Sequence, residues 1–187
     1  MRVGVISDTH LPSLIRSLDE LGPECADFLQ SVELILHSGD ISTRRVLDWC
    51  EQFAPVIAVR GNHDVFDDER LDEEQVLELE GWHVGMAHDL HRGGGVMSSD
   101  VADRVFGGAK LDLMLAGDTH VDRLEDSDGV VMLNSGRPNL PHHKETRLGT
   151  VALLDLEPER MRVEIVVLGH SDGAVNPGAA RSLEVSR

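Results

Sequence analysis

Lysine is nearly missing from this chain. Lys110 and Lys144 are the only two in 187 residues, and the formal net charge is −17. A surface of that sign disfavours nonspecific contact with nucleic acid or an anionic membrane. Cysteine is equally scarce. Cys25 and Cys50 form no closely spaced pair, which argues against a disulfide framework or a thiolate zinc site. No apolar run approaches the roughly 18 residues of a membrane-spanning helix. The first residues also lack the basic-then-apolar layout of a secretion signal, so the cytoplasm is the expected compartment. Gly93-Gly94-Gly95 is not followed by the Lys-Ser/Thr of a phosphate-binding loop, and no nucleophilic Ser or Cys motif stands out.

What is present is a recurring pattern. Val56-Ile57-Ala58-Val59 is a short β-branched apolar run that reads as a buried strand, and it leads through Arg60 into Gly61-Asn62-His63-Asp64. Four other runs behave alike. Val3 to Ile6 leads to Ser7-Asp8-Thr9-His10, and Leu34 to Leu36 to His37-Ser38-Gly39-Asp40. Val84 to Ala87 leads to His88-Asp89, and Leu113 to Ala116 to Gly117-Asp118-Thr119-His120. In open α/β sheets, ligands bind at the carboxyl ends of strands. Five apolar runs ending in Asp, His or Asn therefore point to one shared polar centre.

The first half alternates strand and helix patterns, while the second half is rich in hairpins, which argues for α/β layers with mixed sheets. Leu14, Ile15, Leu18 and Leu21 have helical spacing that Gly22-Pro23 should break, with a second helical piece carrying Cys25, Phe28 and Leu29. Ser42 or Thr43 can cap a helix carrying Val46, Leu47 and Trp49, and Ser98 or Ser99 one running to about Phe106. Residues 64–74 hold seven acids and read as a solvated segment. Residues 1–168 read as one domain. Residues 169–187, rich in Gly, Ala and Ser, are expected to fray as a flexible tail.

Carboxylate, imidazole and amide oxygen are the ligands that hard and borderline divalent metals use. Asp8 and His10, two apart on an extended segment, can reach one ion. Asp40 has two oxygens and can bridge a pair, Asn62 offers a neutral oxygen, and His88, Asp118 and His120 complete a set. Two ions about 3.5–4 Å apart activate water and clamp phosphate oxygens for in-line attack. His63, beside Asn62, is the natural proton donor to the leaving group.

Asp8-Thr9-His10, Gly39-Asp40, Gly61-Asn62-His63-Asp64, His88 and Gly117-Asp118-Thr119-His120 occur in the order of the calcineurin-like metallophosphoesterases. The compact chain resembles the small bacterial and archaeal phosphodiesterase branch of that superfamily. The resemblance implies a layered αββα sandwich of two mixed sheets flanked by helices. It implies Asp8, His10, Asp40 and His120 around a first ion, and Asp40, Asn62, His88 and residue 118 around a second. It makes His63 face the substrate phosphate, with Asp64 orienting its ring. Manganese leads the expected metals, with iron, nickel and zinc as alternatives.

Two positions depart from the family pattern. Asp118 stands where a histidine is usual, and Asp89 where a glycine follows the histidine. If Asp118 ligates, the added charge favours harder ions such as manganese. The expected partner is a small phosphorylated substrate, with small phosphodiesters favoured, while self-association stays open. A nuclease is the nearest enzymatic rival. A scaffold resembling the retromer subunit, which keeps this fold in a protein-binding role, is the alternative of a different class. Arg137 is weighed between a substrate phosphate and a structural ion pair, and His37 is expected to be buried behind the ligands.

Overall fold

The computed structural model describes residues 1–12, 15–90, 101, 104–139, 149–169 and 179–187. Strands β1 (Arg2–Ile6), β2 (Leu34–His37), β3 (Val56–Val59) and β4 (Leu71–Asp72) pair in parallel. The hairpin β10 (Thr150–Glu157) and β11 (Arg160–Val167) extends this sheet antiparallel from β1, and β12 (Arg181–Ser186) closes its edge. The order is β12-β11-β10-β1-β2-β3-β4. A second sheet runs β5-β6-β7-β9-β8, from β5 (Glu74–Leu79), β6 (Trp82–Ala87), β7 (Leu113–Ala116), β8 (Asp122–Ser127) and β9 (Val130–Ser135). Within it β6, β7 and β9 are parallel.

Strand alternation explains the layering. Val3 and Val5 of β1 face the second sheet, whereas Ile6 faces the other way. Leu113 and Leu115 of β7 face the first sheet, whereas Met114 and Ala116 turn outward. Each central strand is therefore apolar on both faces, as a strand covered on both sides must be. One apolar cluster fills the space between the sheets. A second lies between the first sheet and α1 (Gly22–Gln30) with α2 (Arg44–Cys50). A third lies outside the second sheet, under Val101, Phe106 and Leu111. Three apolar spaces separate four layers, so the αββα sandwich is the observed fold. Among the described residues, no helix is long and apolar enough to cross a membrane.

Three local expectations are corrected. The second helical piece expected after the Gly22-Pro23 break is α1, with Pro23 in its first turn, where the missing N–H costs nothing. The first piece is not an α-helix: among the described residues it holds a 3-10 turn, Leu18–Leu21. Residues 64–74 are not simply solvated. They include β4, and Arg70 there bonds Asp68 (2.7 Å) and reaches across to Asp48 and Glu51 (both 2.9 Å) of the α2 segment. The tail also does not fray to its end: β12 pairs with β11 and packs Leu183 and Val185 on the intersheet core. Arg187 lies over the Trp82 ring at 3.9 Å, which ties down the last residue. Gly/Ala/Ser composition concealed that short apolar alternation. The triple-glycine loop, with His91, and residues 140–148, with His142, His143 and Lys144, lie outside the described residues, as do residues 170–178. The expected 98–106 helix is described only at 101 and 104–106, of which 101, 104 and 105 are helical.

Candidate metal centre

The polar tips of β1, β2, β3, β6 and β7 meet at one end of the sandwich. The β1 and β2 tips continue their pairing beyond the strands: Asp8 N–H donates to the Gly39 carbonyl and His10 N–H to that of Asp40, each at 3.0 Å. The backbone there is unusual. Among the described residues, eight non-glycine residues have positive φ, and five of them are Asp8, His10, Asp40, Asp118 and His120. Left-handed conformations cost energy in residues with a Cβ and gather at functional sites. Two of the other three, Glu80 and Asp128, sit in hairpin turns, where that conformation is ordinary.

Ligand atoms of Asp8, His10, Asp40 and His120 all lie within 4.8 Å of one another. His10 Nε2 is 3.1 Å from His120 Nε2, 3.3 Å from Asp40 Oδ2 and 3.7 Å from Asp8 Oδ1. His120 Nε2 is 3.4 Å from Asp8 Oδ1. Asp40 Oδ2 also lies 3.4 Å from His88 Nε2, which is 3.8 Å from Asp118 Oδ1. One Asp40 oxygen thus stands between two groups, one around His10 and one around His88. Asn62 and Asp118 line a cleft of about 730 Å³ with His88, Asp89, Arg60 and Arg104.

These residues fit a cation. Asp8 is fully buried, and neither of its oxygens has a hydrogen-bond partner; His88 Nε2 is buried and equally orphaned. Buried charge without a partner is costly. Ligands bonded at about 2.0–2.2 Å sit roughly 3 Å from one another around an ion, close to the spacing here. Burial alone would raise the Asp8 carboxyl, but the imidazoles of His10 and His120 hold it well below the usual carboxylate range. Burial would likewise lower His88, yet the carboxylates of Asp40 and Asp8 push it up to about 9.

Close packing holds the loops. A Cβ on Gly61 would run into the Asp40 carboxylate and backbone N. A Cβ on Gly117 would come within 2.7 Å of His88 Nδ1, and would also meet the Ser7 hydroxyl. His88 Nδ1 donates to the Ser38 carbonyl at 2.7 Å, which leaves Nε2 for the site. His37 is fully buried beside Thr9 Oγ1 (3.2 Å), as expected, and burial pushes its imidazole down to about 3.

His63 is exposed next to the cluster, with its ring 5.2 Å from that of His10. Its backbone N–H donates to Asp40 Oδ1 at 2.9 Å. Asp64 does something other than orient that ring. Its buried carboxylate accepts from the backbone N–H groups of Gly61 (2.8 Å) and Ser42 (2.5 Å), and so clamps the β2 and β3 tips together. Asn134 was missed in the sequence. Its amide donates to the Gly117 carbonyl (2.6 Å) and to Thr119 Oγ1 (3.1 Å), and its oxygen accepts from Gly136 N (2.9 Å). It therefore steadies the loop that carries Asp118 and His120. An Asn at the end of an apolar strand was the only available signal. Arg137 is buried against His120, and among the described residues no acid forms an ion pair with it.

The clustered Asp and His at the strand tips of this layered α/β sandwich form a candidate site for a divalent metal ion. Residues 1–159 match the calcineurin-like phosphoesterase superfamily domain, and the chain belongs to that family. It is 31% identical to a probable metallophosphoesterase of Methanothermobacter thermautotrophicus, over 90% of this chain and 94% of that protein. It is 25% identical to a phosphodiesterase of Methanocaldococcus jannaschii, over 89% of this chain and 99% of that one. Among solved structures it shares its fold with wild-type Vps29 from Entamoeba histolytica complexed with Zn²⁺. The TM-score is 0.74 at 20% identity, covering 100% of this chain and 99% of that one.

Proposed function

We propose that this protein is a two-metal phosphodiesterase acting on small substrates, with His63 as the proton donor to the leaving group. The observation that carries this reading is Asp40, whose single oxygen faces both the His10 group and the His88 group. Asp8, His10, Asp40 and His120 would hold one divalent ion, and Asp40, Asn62, His88 and Asp118 the other. When bound, the pair supplies an acidified water nucleophile and a clamp for phosphate oxygens. The protein's own residues do the rest. Backbone donation from His63 fixes one oxygen of Asp40 and leaves the other to the ions. The His63 ring, exposed at the rim, can reach a leaving alkoxide outside the ligand cluster. Asp64 holds the turn that presents His63.

The net charge of −17 weighs against long nucleic acid as substrate. The relatives named metallophosphoesterase and phosphodiesterase support the reaction class. The Vps29 fold and the replacement at Asp118 support a second reading, a scaffold that retains a metal. Zinc in that structure means that metal binding alone does not separate the two.

Hydrolysis of bis-p-nitrophenyl phosphate with added Mn²⁺ separates them. Wild type should turn over the diester, and His63→Ala should fall by about 10²–10³-fold, within the usual range for a lost general acid. Metal content measured by elemental analysis should not change. Absence of metal-dependent turnover across a diester and monoester panel would favour the scaffold. Full activity in His63→Ala would remove the proton donor.

A further inference from the structure

We infer that Arg137 is an internal counter-cation of the metal centre, which loosens the ion held by His120 and offsets the third carboxylate, Asp118. Arg137 is only 1% exposed, and its Nε and Nη2 are buried without hydrogen-bond partners. No acid among the described residues forms an ion pair with it. A buried, unpaired guanidinium is destabilising by itself, so the surroundings must impose it. They do so through the backbone: the Arg137 carbonyl accepts from Thr150 N (2.9 Å), and Gly149 donates to the Pro138 carbonyl (2.9 Å). On the other side Gly136 has φ +69° and donates to Asn134, the residue that also steadies the Asp118–His120 loop.

The decisive contact is Arg137 Nη1 at 3.3 Å from His120 Nδ1. A guanidinium only donates, so the ring nitrogen must accept. A neutral ring accepting at Nδ1 carries its proton on Nε2, the nitrogen that faces His10 and Asp8. An ion at Nε2 instead requires the proton on Nδ1, pointing at a cation. Histidine ligands ordinarily donate their outer N–H to a carbonyl or carboxylate, as His88 does to Ser38. His120 has the opposite arrangement. Arg137 therefore disfavours the ligating form of His120 and places positive charge behind it. Asp8, Asp40 and Asp118 supply three negative charges to the same centre, and the guanidinium cancels one. A guanidinium keeps its charge at neutral pH inside a protein. Burial keeps it from touching a substrate in the cleft.

The inference rests on the proposed metal centre but not on hydrolysis, so its tests read metal and tautomer rather than turnover. Calorimetric Mn²⁺ titration of Arg137→Met should show at least tenfold tighter binding than wild type. Arg137→Lys, which keeps the charge, should stay within threefold of wild type. In metal-free wild type, ¹⁵N imidazole shifts should place the His120 proton on Nε2. The inference is overturned if Arg137→Met binds Mn²⁺ no more tightly, if Arg137→Lys binds as tightly as Arg137→Met, or if His120 carries its proton on Nδ1. The wild-type spectrum decides the matter should a variant fail to fold. Tighter binding without any hydrolysis would leave this inference standing and remove the proposed activity.

Discussion

His88 ties the metal centre to pH more directly than any other side chain. Metal needs its neutral ring, yet in the metal-free protein that ring holds its proton up to about 9. Below pH 9 the ion held with His88 must displace this proton. Apparent Mn²⁺ affinity should therefore rise about tenfold per pH unit from 6.5 to 8.5, as read by calorimetry; a flat profile would show that His88 does not ligate. On the proposed two-metal reading, Asp118 sets selectivity rather than occupancy. Its partly exposed carboxylate lies 3.8 Å from His88 Nε2 and adds a hard oxygen to that group. Asp118→His should reduce the Mn²⁺ over Zn²⁺ preference by about tenfold in competition titrations. An identical ranking in the variant would place Asp118 outside the coordination sphere.

Turns between elements matter as much as the ligands. The β3 tip can approach Asp40 only because position 61 has no side chain. Gly61→Ala must push either the β2 turn or the β3 turn out of place. Overpacking of this kind costs about 1–3 kcal/mol. The expected result is a lower urea midpoint together with loss of Mn²⁺ binding, because Asp40 serves both groups. Undiminished binding would show that the turns can separate freely. The strand-end motifs were legible here because chemistry-bearing residues follow each apolar run directly. The start of α1 was legible, since Gly-Pro can stop one element and open the next, but the 3-10 turn before it was not, because Leu18 and Leu21 fit a 3-10 as well as an α spacing. Strand β12 escaped for a related reason, since a short alternating segment becomes a strand only when a partner edge and a core receive it.

For the whole molecule, buried histidines give metal-free stability a maximum in pH. Burial lowers His37 to about 3, so the unfolded chain takes up a proton below 6.5 that the fold refuses. Its contribution is full above 6.5 and is lost as pH falls toward 3. His88 has the opposite sign: with its folded value raised to about 9, its contribution is full below 6.5 and is lost as pH rises through 9. Each group changes stability by about 1.4 kcal/mol per pH unit inside its window. Asp64, raised by burial, opposes the His37 slope just above its ordinary 3.8. Urea midpoints in EDTA should therefore peak near pH 6.5 and fall on both sides. Saturating Mn²⁺ should remove the alkaline decline, because a ligated His88 no longer titrates. A midpoint still rising between pH 7 and 9 without metal would contradict the assignment.

The order of apolar runs and their polar ends was enough, from sequence, to specify layered sheets and the set of groups able to meet a cation, because strand periodicity and ligand chemistry are local properties. Tertiary structure alone decided that Asp64 clamps two turns, that Asn134 steadies the Asp118–His120 loop, and that Arg137 stands buried behind His120. Those roles depend on which atoms lie within about 3 Å after folding. Asp64 lies 22 positions from Ser42, Asn134 lies 17 from Gly117 and Arg137 lies 17 from His120, so the order of the chain carries no mark of that proximity.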